Sequence, residues 1–380
     1  MKSGRRIVFL VTEDWYFCLH WLPVARAVRD AGFDVTIVTK VDRHAHVINQ
    51  AGLTLVDFDL GRGRRNPVTE WRRLKRLTGL YRQLAPDLVH HIGMKSIALG
   101  SHAARLADVP ASVNLFAGLG YLFATDRPAV RVLRTVLKPF FAFGLNRMGS
   151  RVETLNDDDR RRLEASGWID PTMATVLPGS GLDLERFPAL PPPEGPVVTL
   201  AVVARMLKIK GIDLIVNATR RVQTDGAACR LLLVGKPDPA NPSSFTQADL
   251  ERWGSLPGIE WRGHIDDVRE IWKEADIAVL ASHGGEGVPV SLMEASACCR
   301  PSIATNTPGC RDIVVDGKTG LLVEPNDESA LANAMQVLIA DRRKRLRFGL
   351  ASRQLVSSKF TSDQVSRMIL EDYRRLGLAP

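Results

Sequence analysis

The stretch GGEGVPVSLMEA at 284–295 holds two carboxylates, Glu286 and Glu294, eight positions apart across glycines and an apolar run. Upstream, ARMLKIKG at 204–211 carries Arg205 and Lys210. Paired cations beside a helix N-terminus, whose first backbone N–H groups lack partners within the helix, suit a diphosphate. Carboxylates suit hydroxyl groups, as acceptors of charge-assisted hydrogen bonds. Gly284, Gly285 and Gly287 let the backbone approach a ligand closely, and Pro289 fits the first turn of a helix. Two readings compete. In one, an ordinary loop enters an amphipathic helix whose Glu294 is exposed and paired with Arg300 or Arg311. In the other, the two acids grip opposite ends of one ligand.

Residues so far apart in sequence need a scaffold to bring them together. Short β-branched apolar runs alternate with helical patterns along the whole chain. In the first half the expected strands are 7–12, 34–39, 53–58, 87–92, 111–116 and 151–156. Between them lie amphipathic stretches such as WLPVARAVRDAG (21–32), which ends on a glycine as a helix terminus should. RFPALPPPEGP (186–196), with five prolines, reads as a stiff linker. The alternation then restarts, with strands expected at 197–204, 230–235, 258–263, 276–282, 301–305 and 319–325. This is the pattern of βαβ units, so two α/β domains with parallel sheets are expected, forming a cleft. Ligands in such folds sit beyond the carboxyl ends of the strands, where the motifs above fall.

At 380 residues, 45% hydrophobic and 24% charged, the chain has enough apolar material for two cores. Its five cysteines show no CxxC spacing, and the adjacent Cys298 and Cys299 match neither a zinc site nor a disulfide framework. IVFLV after Lys2, Arg5 and Arg6 is too short for a signal peptide, and no run of 18 apolar residues exists. A cytoplasmic location is therefore expected. The charge is lopsided: residues 1–190 carry 27 Lys and Arg against 19 Asp and Glu, while the remainder is almost neutral. The first half thus faces something acidic. Two stretches hold the excess, 61–82 and 127–151. The second, RPAVRVLRTVLKPFFAFGLNRMGSR, interleaves six cations with apolar residues, as in a helix lying on an anionic membrane. The competing reading is a solvated face over a core stripe.

Taken together, Arg205, Lys210, Glu286 and Glu294 resemble the donor site of the retaining nucleotide-sugar glycosyltransferases of GT-B fold, in the large family numbered four. VLPGSGLDLERF (176–187) is similar to that family's interdomain crossing. PSIATNTPGCRDIVVDGKTGLLVEPND (301–327) is similar to the run after its donor helix. The resemblance implies two Rossmann-like domains facing each other across a cleft: an acceptor domain at 1–188, a donor domain at 189–358, and a C-terminal helix at 359–380 crossing back to the first. It implies that Arg205 and Lys210 hold the donor diphosphate and neutralise the leaving nucleotide. Glu286 would meet the donor sugar and Glu294 the ribose, with Gly285, Gly287, Val288, Pro289 and Val290 lining the donor between them. No metal or other cofactor is implied. Cys299 stands where the family often has glycine, and Gly284–Gly285 adds a residue to the usual loop.

AGLGYLF (117–123), VTEDWYFCLHWLPVARA (11–27) and GKPDPANPSSFTQADL (235–250) are similar to the subgroup acting on undecaprenyl-diphosphate-linked sugars. There, contacts to the acceptor would come from His20 and from Gly118, Leu119 and Gly120. Trp21 departs from the arginine that usually follows the histidine. His90 and His91, at the end of a strand, are weaker candidates. The subgroup implies a UDP-linked N-acetylhexosamine as donor, a lipid-linked saccharide as acceptor, and a peripheral position at the inner face of the cell membrane. Rivals fare worse. No G-x-G-x-x-G follows the first strand, Asp312 occupies the first-glycine position of a P-loop ending in DGKTG (316–320), and the Asp-x-Asp of NDDDRRRLEASG (156–167) reads as a helix cap followed by acids. No nucleic-acid reader motif is present. A transferase with a soluble acceptor and a non-catalytic sugar-nucleotide-binding module remain as alternatives.

Overall fold

A computed structural model describes residues 5–61, 66–125, 127–239 and 241–379. Lys2, Arg62, Arg64 and Arg65, counted above among the cations, and Ala240 of the stretch 235–250 lie outside the described residues. The chain divides into two units, Met1–Gly181 with Ser362–Pro380, and Leu182–Thr361.

The first unit is built on seven strands: β1 (Arg6–Glu13), β2 (Asp34–Lys40), β3 (Thr54–Asp57), β4 (Leu88–Ile92), β5 (Ala111–Phe116), β6 (Ser150–Thr154) and β7 (Ala174–Val176). They pair in parallel in the order β3-β2-β1-β4-β5-β6-β7. The second has six: β8 (Val198–Val203), β9 (Cys229–Val234), β10 (Ile259–Trp261), β11 (Ile277–Leu280), β12 (Ser302–Thr305) and β13 (Gly320–Val323). Their order, β10-β9-β8-β11-β12-β13, repeats the same winding. Each expected strand is present. The addition is β7, three residues at a sheet edge, too short to show a period.

Alternation along β1 shows why both faces must be covered. Ile7, Phe9 and Val11 pack with Trp21, Val24 and Ile37 on one side. Val8 and Leu10 pack with Leu77, Tyr81 and Val89 on the other. In the second unit Leu200 and Val202 face one apolar layer, and Ala201 faces another containing Leu292 and Met293. Strand order reverses between β1 and β4 and between β8 and β11. In doubly wound sheets these are the switch points where loops part and a ligand can enter.

The helix Ser362–Arg375 belongs to the first unit, where Val365, Ile369 and Tyr373 join the core around Trp21. Each such side chain, fully buried, contributes about 1.5–3 kcal/mol. The division of the chain falls at Gly181, ahead of the proline run rather than at 188, because Leu182 and Phe187 already pack into the second unit's core. At the other end, the helix Arg342–Lys359 and the buried Phe360 stay with the second unit, so the crossing begins at Ser362 rather than 359.

Candidate active site

In the second unit β8 and β11 are neighbours, and the loops that leave their carboxyl ends meet. The backbone N–H of His283 donates to the carbonyl of Ile209 at 2.9 Å, stitching the two loops together. Gly309, at φ +80°, presses on the same region: a Cβ there would lie 1.6 Å from the carbonyl oxygen of Gly287. Only glycine permits that approach, so the loop carrying Glu286 is held from behind.

The contact this produces is an ion pair. Lys210 Nζ lies 2.5 Å from Glu286 Oε1, with 16% and 14% of the two side chains exposed. The hydroxyl of Ser282, buried two residues beyond β11, donates to the same oxygen at 2.8 Å. Burial acts to raise the Glu286 carboxyl, but Lys210, Ser282 and the more distant Arg205 outweigh it, so Glu286 titrates below the ordinary glutamate range. Arg205 is more than half exposed and pairs with Asp238 at 3.3 Å. Such an exposed pair contributes little, so an incoming anion can take the guanidinium over. The sequence reading brought Arg205, Lys210 and Glu286 together; it missed Ser282 and Asp238. Both lie in stretches singled out for other reasons, a strand terminus and a loop.

Glu294 behaves differently from a surface acid. It sits in the helix Val290–Ala297, whose residues Leu292 to Ala297 are all buried. The amphipathic-helix reading therefore fails. Arg300 gives its guanidinium to the carbonyls of Trp272 and Pro191 at 2.8 and 2.7 Å. Burial lifts the Glu294 carboxyl to about 8, against the opposing pull of Arg186 and the Trp272 indole. The indole N–H leans toward Glu294 without reaching hydrogen-bonding geometry. At pH 7 Glu294 is thus largely protonated, where the sequence suggested a charged acceptor.

Pro289 is the residue before this helix rather than its first turn. Gly285 and Val290 are half-buried, and Gly287, Val288 and Pro289 are buried. The Val288 side chain belongs to the core with Leu292, leaving its backbone to face a ligand. Cys299, at the position where the resemblance implies a frequent glycine, adopts φ +59°, the left-handed conformation that glycine takes without strain.

In the first unit His20 ends the helix Asp14–His20 that follows β1, its ring against Tyr16 with centroids 4.5 Å apart. Burial pushes its imidazole well down, so it is neutral at pH 7. Gly118, Leu119 and Gly120 follow β5, both glycines at positive φ. Leu119 is buried beside Phe116 and Phe123, so only its backbone is available. His90 and His91 are core residues. His90 Nδ1 is 2.8 Å from the Tyr373 hydroxyl, and His91 Nδ1 is 2.8 Å from Asn114 Oδ1. Asp157, Asp158 and Asp159 occupy the first turn of the helix Asp157–Ala165, capped by the Asn156 side chain. Among the described residues no group of three or more His, Cys, Asp or Glu is placed to hold a metal ion.

The basic stretch 127–151 forms the helix Pro128–Leu145. Val132, Leu133, Val136, Phe140 and Phe143 are exposed along it. Phe141 is not: it is buried, stacked on Trp168 with centroids 4.3 Å apart. Of the three phenylalanines in this stretch, Phe140, Phe141 and Phe143, only the first and last are therefore exposed. Among the described residues no helix is long and apolar enough to cross a membrane.

The two parallel sheets and the strand-end site define a glycosyltransferase of GT-B fold. The family described as glycosyl transferase 4-like matches residues 6–148, and that described as glycosyl transferases group 1 matches residues 197–341. The chain belongs to the family-4-like glycosyltransferases. It is 23% identical over 339 residues to the N,N'-diacetylbacillosaminyl-diphospho-undecaprenol alpha-1,3-N-acetylgalactosaminyltransferase of Campylobacter jejuni, spanning 86% of this chain and 87% of that one. It is 27% identical over 285 residues to the UDP-Gal:alpha-D-GlcNAc-diphosphoundecaprenol alpha-1,3-galactosyltransferase of Escherichia coli, 71% of each chain. Among solved structures, HepE of Anabaena in complex with UDP and glucose superposes with a TM-score of 0.78 at 17% identity, covering 98% of this chain and 100% of that one. A glycosyltransferase of Rickettsia africae gives 0.78 at 18% identity, with both chains fully covered.

Proposed function

We propose that this chain transfers an N-acetylhexosamine from its UDP-linked donor to a saccharide carried on undecaprenyl diphosphate, with retention at the anomeric carbon and without a metal. The observation that carries the reading is the meeting of Lys210 and Glu286 at the switch point of the second sheet. A lysine ammonium has three N–H donors. Lys210 can therefore keep Glu286 ionised and still bind a phosphate oxygen, with Arg205 swinging from Asp238 to a second. As the bond from sugar to diphosphate breaks, negative charge develops on the leaving phosphate, where these cations stabilise it more than in the ground state. Glu286 accepts hydroxyls of the donor sugar, and Glu294 engages the ribose.

A UDP-linked donor is supported by HepE, which has been solved with UDP and with UDP-glucose. The acceptor is supported by the names of the C. jejuni and E. coli relatives, both of which specify an undecaprenol-diphosphate-linked sugar. Retention rests on the resemblance of the donor motif to the retaining family. Such an acceptor stays in the bilayer, so the enzyme works at the inner face of the cell membrane. The cations Arg131, Arg134 and Lys138, on the same helix as exposed Val132, Val136, Phe140 and Phe143, supply the attachment.

A panel of UDP-sugars tests the donor. The right one raises the unfolding temperature by mass action and is consumed with a lipid-linked acceptor. Protection without turnover on any undecaprenyl-diphosphate saccharide would favour the soluble-acceptor or non-catalytic alternative.

A further inference from the structure

We propose that His44, steered by the buried carboxylate of Asp14, is an acceptor-binding residue whose Nε2 accepts a hydrogen bond from a hydroxyl of the acceptor saccharide. This rests on the saccharide acceptor proposed above and on the first unit as its seat. The donor chemistry of the second unit does not enter it.

Neighbouring strands deliver the pair. Asp14 is the first residue of the helix Asp14–His20, directly after β1. His44 follows β2 and stands just before the helix Ala45–Gln50, where its side chain caps nothing. β1 and β2 pair in parallel as far as Glu13 and Lys40, so both residues lie at the carboxyl edge of the first sheet. Ligands of such sheets bind beyond that edge. Asp14 is fully buried, and its Oδ2 accepts from the backbone N–H groups of Asp42 and His44 at 2.8 and 2.9 Å, which fixes the turn after β2. His20, which the resemblance assigns to the acceptor, closes the same helix that Asp14 opens.

The other carboxylate oxygen is unspent. Among the described residues Oδ1 meets no hydrogen-bond donor; it lies 3.6 Å from His44 Nδ1, which is itself enclosed and without a partner. Burial acts to raise the Asp14 carboxyl, but the backbone N–H groups of His44, Asp42 and Trp15, with the His44 ring, outweigh it. Asp14 thus stays ionised below the ordinary aspartate range. A carboxylate can only accept, so the imidazole turns an N–H toward it and Nδ1 carries the proton. That leaves the lone pair on Nε2. The side chain of His44 is 38% exposed, and Nε2 is neither enclosed nor hydrogen-bonded among the described residues. The gap at Nδ1 is of the kind that closes on a substrate, since such hydrogen bonds are often long in the free protein and tighten in the complex.

A lone pair held outward in a fixed tautomer suits a hydroxyl. An ionised phosphate oxygen has no hydrogen to give and would face the like charge of Asp14. A saccharide hydroxyl donates to Nε2, which polarises the ring and strengthens its N–H contact with Asp14. A carboxylate serving the turn alone would need only Oδ2. Oδ1, sealed beside a ring nitrogen, is costly to leave unpaired unless the ring completes it.

The test is steady-state transfer by the full chain with the acceptor varied at saturating UDP-sugar, beside donor hydrolysis without acceptor. His44→Ala should raise the acceptor KM about tenfold or more, with donor KM and donor hydrolysis within about twofold of wild type. Asp14→Asn keeps an oxygen for the two backbone N–H groups, but its amide N–H faces Nδ1 and moves the ring proton to Nε2. It should therefore raise the acceptor KM as His44→Ala does. Because the two act as one unit, the double variant should be no worse than His44→Ala alone. His46→Ala, at an exposed histidine two residues on, should leave every value unchanged. An acceptor KM unmoved in His44→Ala would overturn the proposal, as would effects of the two substitutions that simply multiply. Equal losses in acceptor KM and donor hydrolysis, with earlier unfolding, would assign the pair to the turn alone and overturn it too. The acceptor reading fails differently. A wild type that uses a soluble saccharide and no lipid-linked one removes the lipid, and the His44 effect is then read on the soluble acceptor. A wild type that transfers to no saccharide removes both.

Discussion

Lys210 and Glu286, 76 residues apart in sequence, close to 2.5 Å because the two strands that deliver them are neighbours at a reversal of strand order. The pair explains why a carboxylate this enclosed stays ionised, and it gives the cation a fixed direction before any diphosphate arrives.

Lys210→Ala should therefore do more than remove one phosphate contact. It leaves Glu286 enclosed without its nearest cation, so the carboxyl's pKa rises and the acidic limb of the pH–rate profile moves upward. Arg205→Ala, which removes a mostly exposed guanidinium, should depress kcat with little movement of that limb. Steady-state kinetics from pH 5 to 9 with the two variants reads the difference. The same assay in excess EDTA should show full activity, and a strict manganese requirement would overturn the metal-free reading.

Glu294 predicts a pH-dependent donor affinity. Its carboxyl titrates at about 8. Ribose hydroxyls donating to it favour the ionised form and lower that value in the complex. Affinity for a UDP-sugar should then rise as pH increases from 6 toward 8 and level off above. Glu294→Gln should flatten this dependence, and Glu294→Ala should weaken binding by roughly 1–3 kcal/mol. Calorimetry at a series of pH values measures both.

A second buried acid makes a prediction about stability. Glu153 Oε2 lies 3.3 Å from His90 Nε2, fully buried beside Asp372, which the C-terminal helix contributes. Burial raises Glu153 to about 8, with Asp372 and Arg151 opposing, while burial drops His90 to about 3. The folded chain holds a proton on Glu153 that the unfolded chain releases near 4.5. Its contribution is fully present below that value and is lost as pH rises through 8. Glu153→Gln should thus gain stability relative to the wild type between pH 5 and 9, on the order of 1–3 kcal/mol at the top of that range. Paired thermal melts across pH measure it, and a difference independent of pH would contradict the protonated assignment.

Membrane attachment carries its own test. Arg131, Arg134 and Lys138 changed together to Glu should release the protein from anionic liposomes and lower turnover of a lipid-linked acceptor. A wild type that ignores anionic liposomes even at low salt would remove this part of the account.

Much of this was legible in the sequence because βαβ repetition writes itself in apolar runs, and because Arg205, Lys210, Glu286 and Glu294 keep fixed distances from strand ends. What the sequence hid depends on packing. Nothing in VSLMEASA says that its glutamate is sealed in apolar surroundings, since an eight-residue helix buried all round has the same letters as one half exposed. Phe141 looks like Phe140 and Phe143 until the helix is rotated onto Trp168. Ser282 reads as the last residue of a strand, and only the neighbouring loop turns it into a partner of Glu286. His90 and His91 suggest chemistry, yet each is consumed by core partners distant in sequence.

The measurement closest to the central claim is sugar transfer by Glu286→Gln beside its binding of UDP. The substitution keeps the size of the side chain and removes the charge that faces Lys210 and the donor sugar. The account predicts transfer reduced by about a hundredfold or more, as for loss of a charged transition-state contact, with UDP affinity within about threefold of wild type. A variant that transfers sugar at the wild-type rate would contradict it.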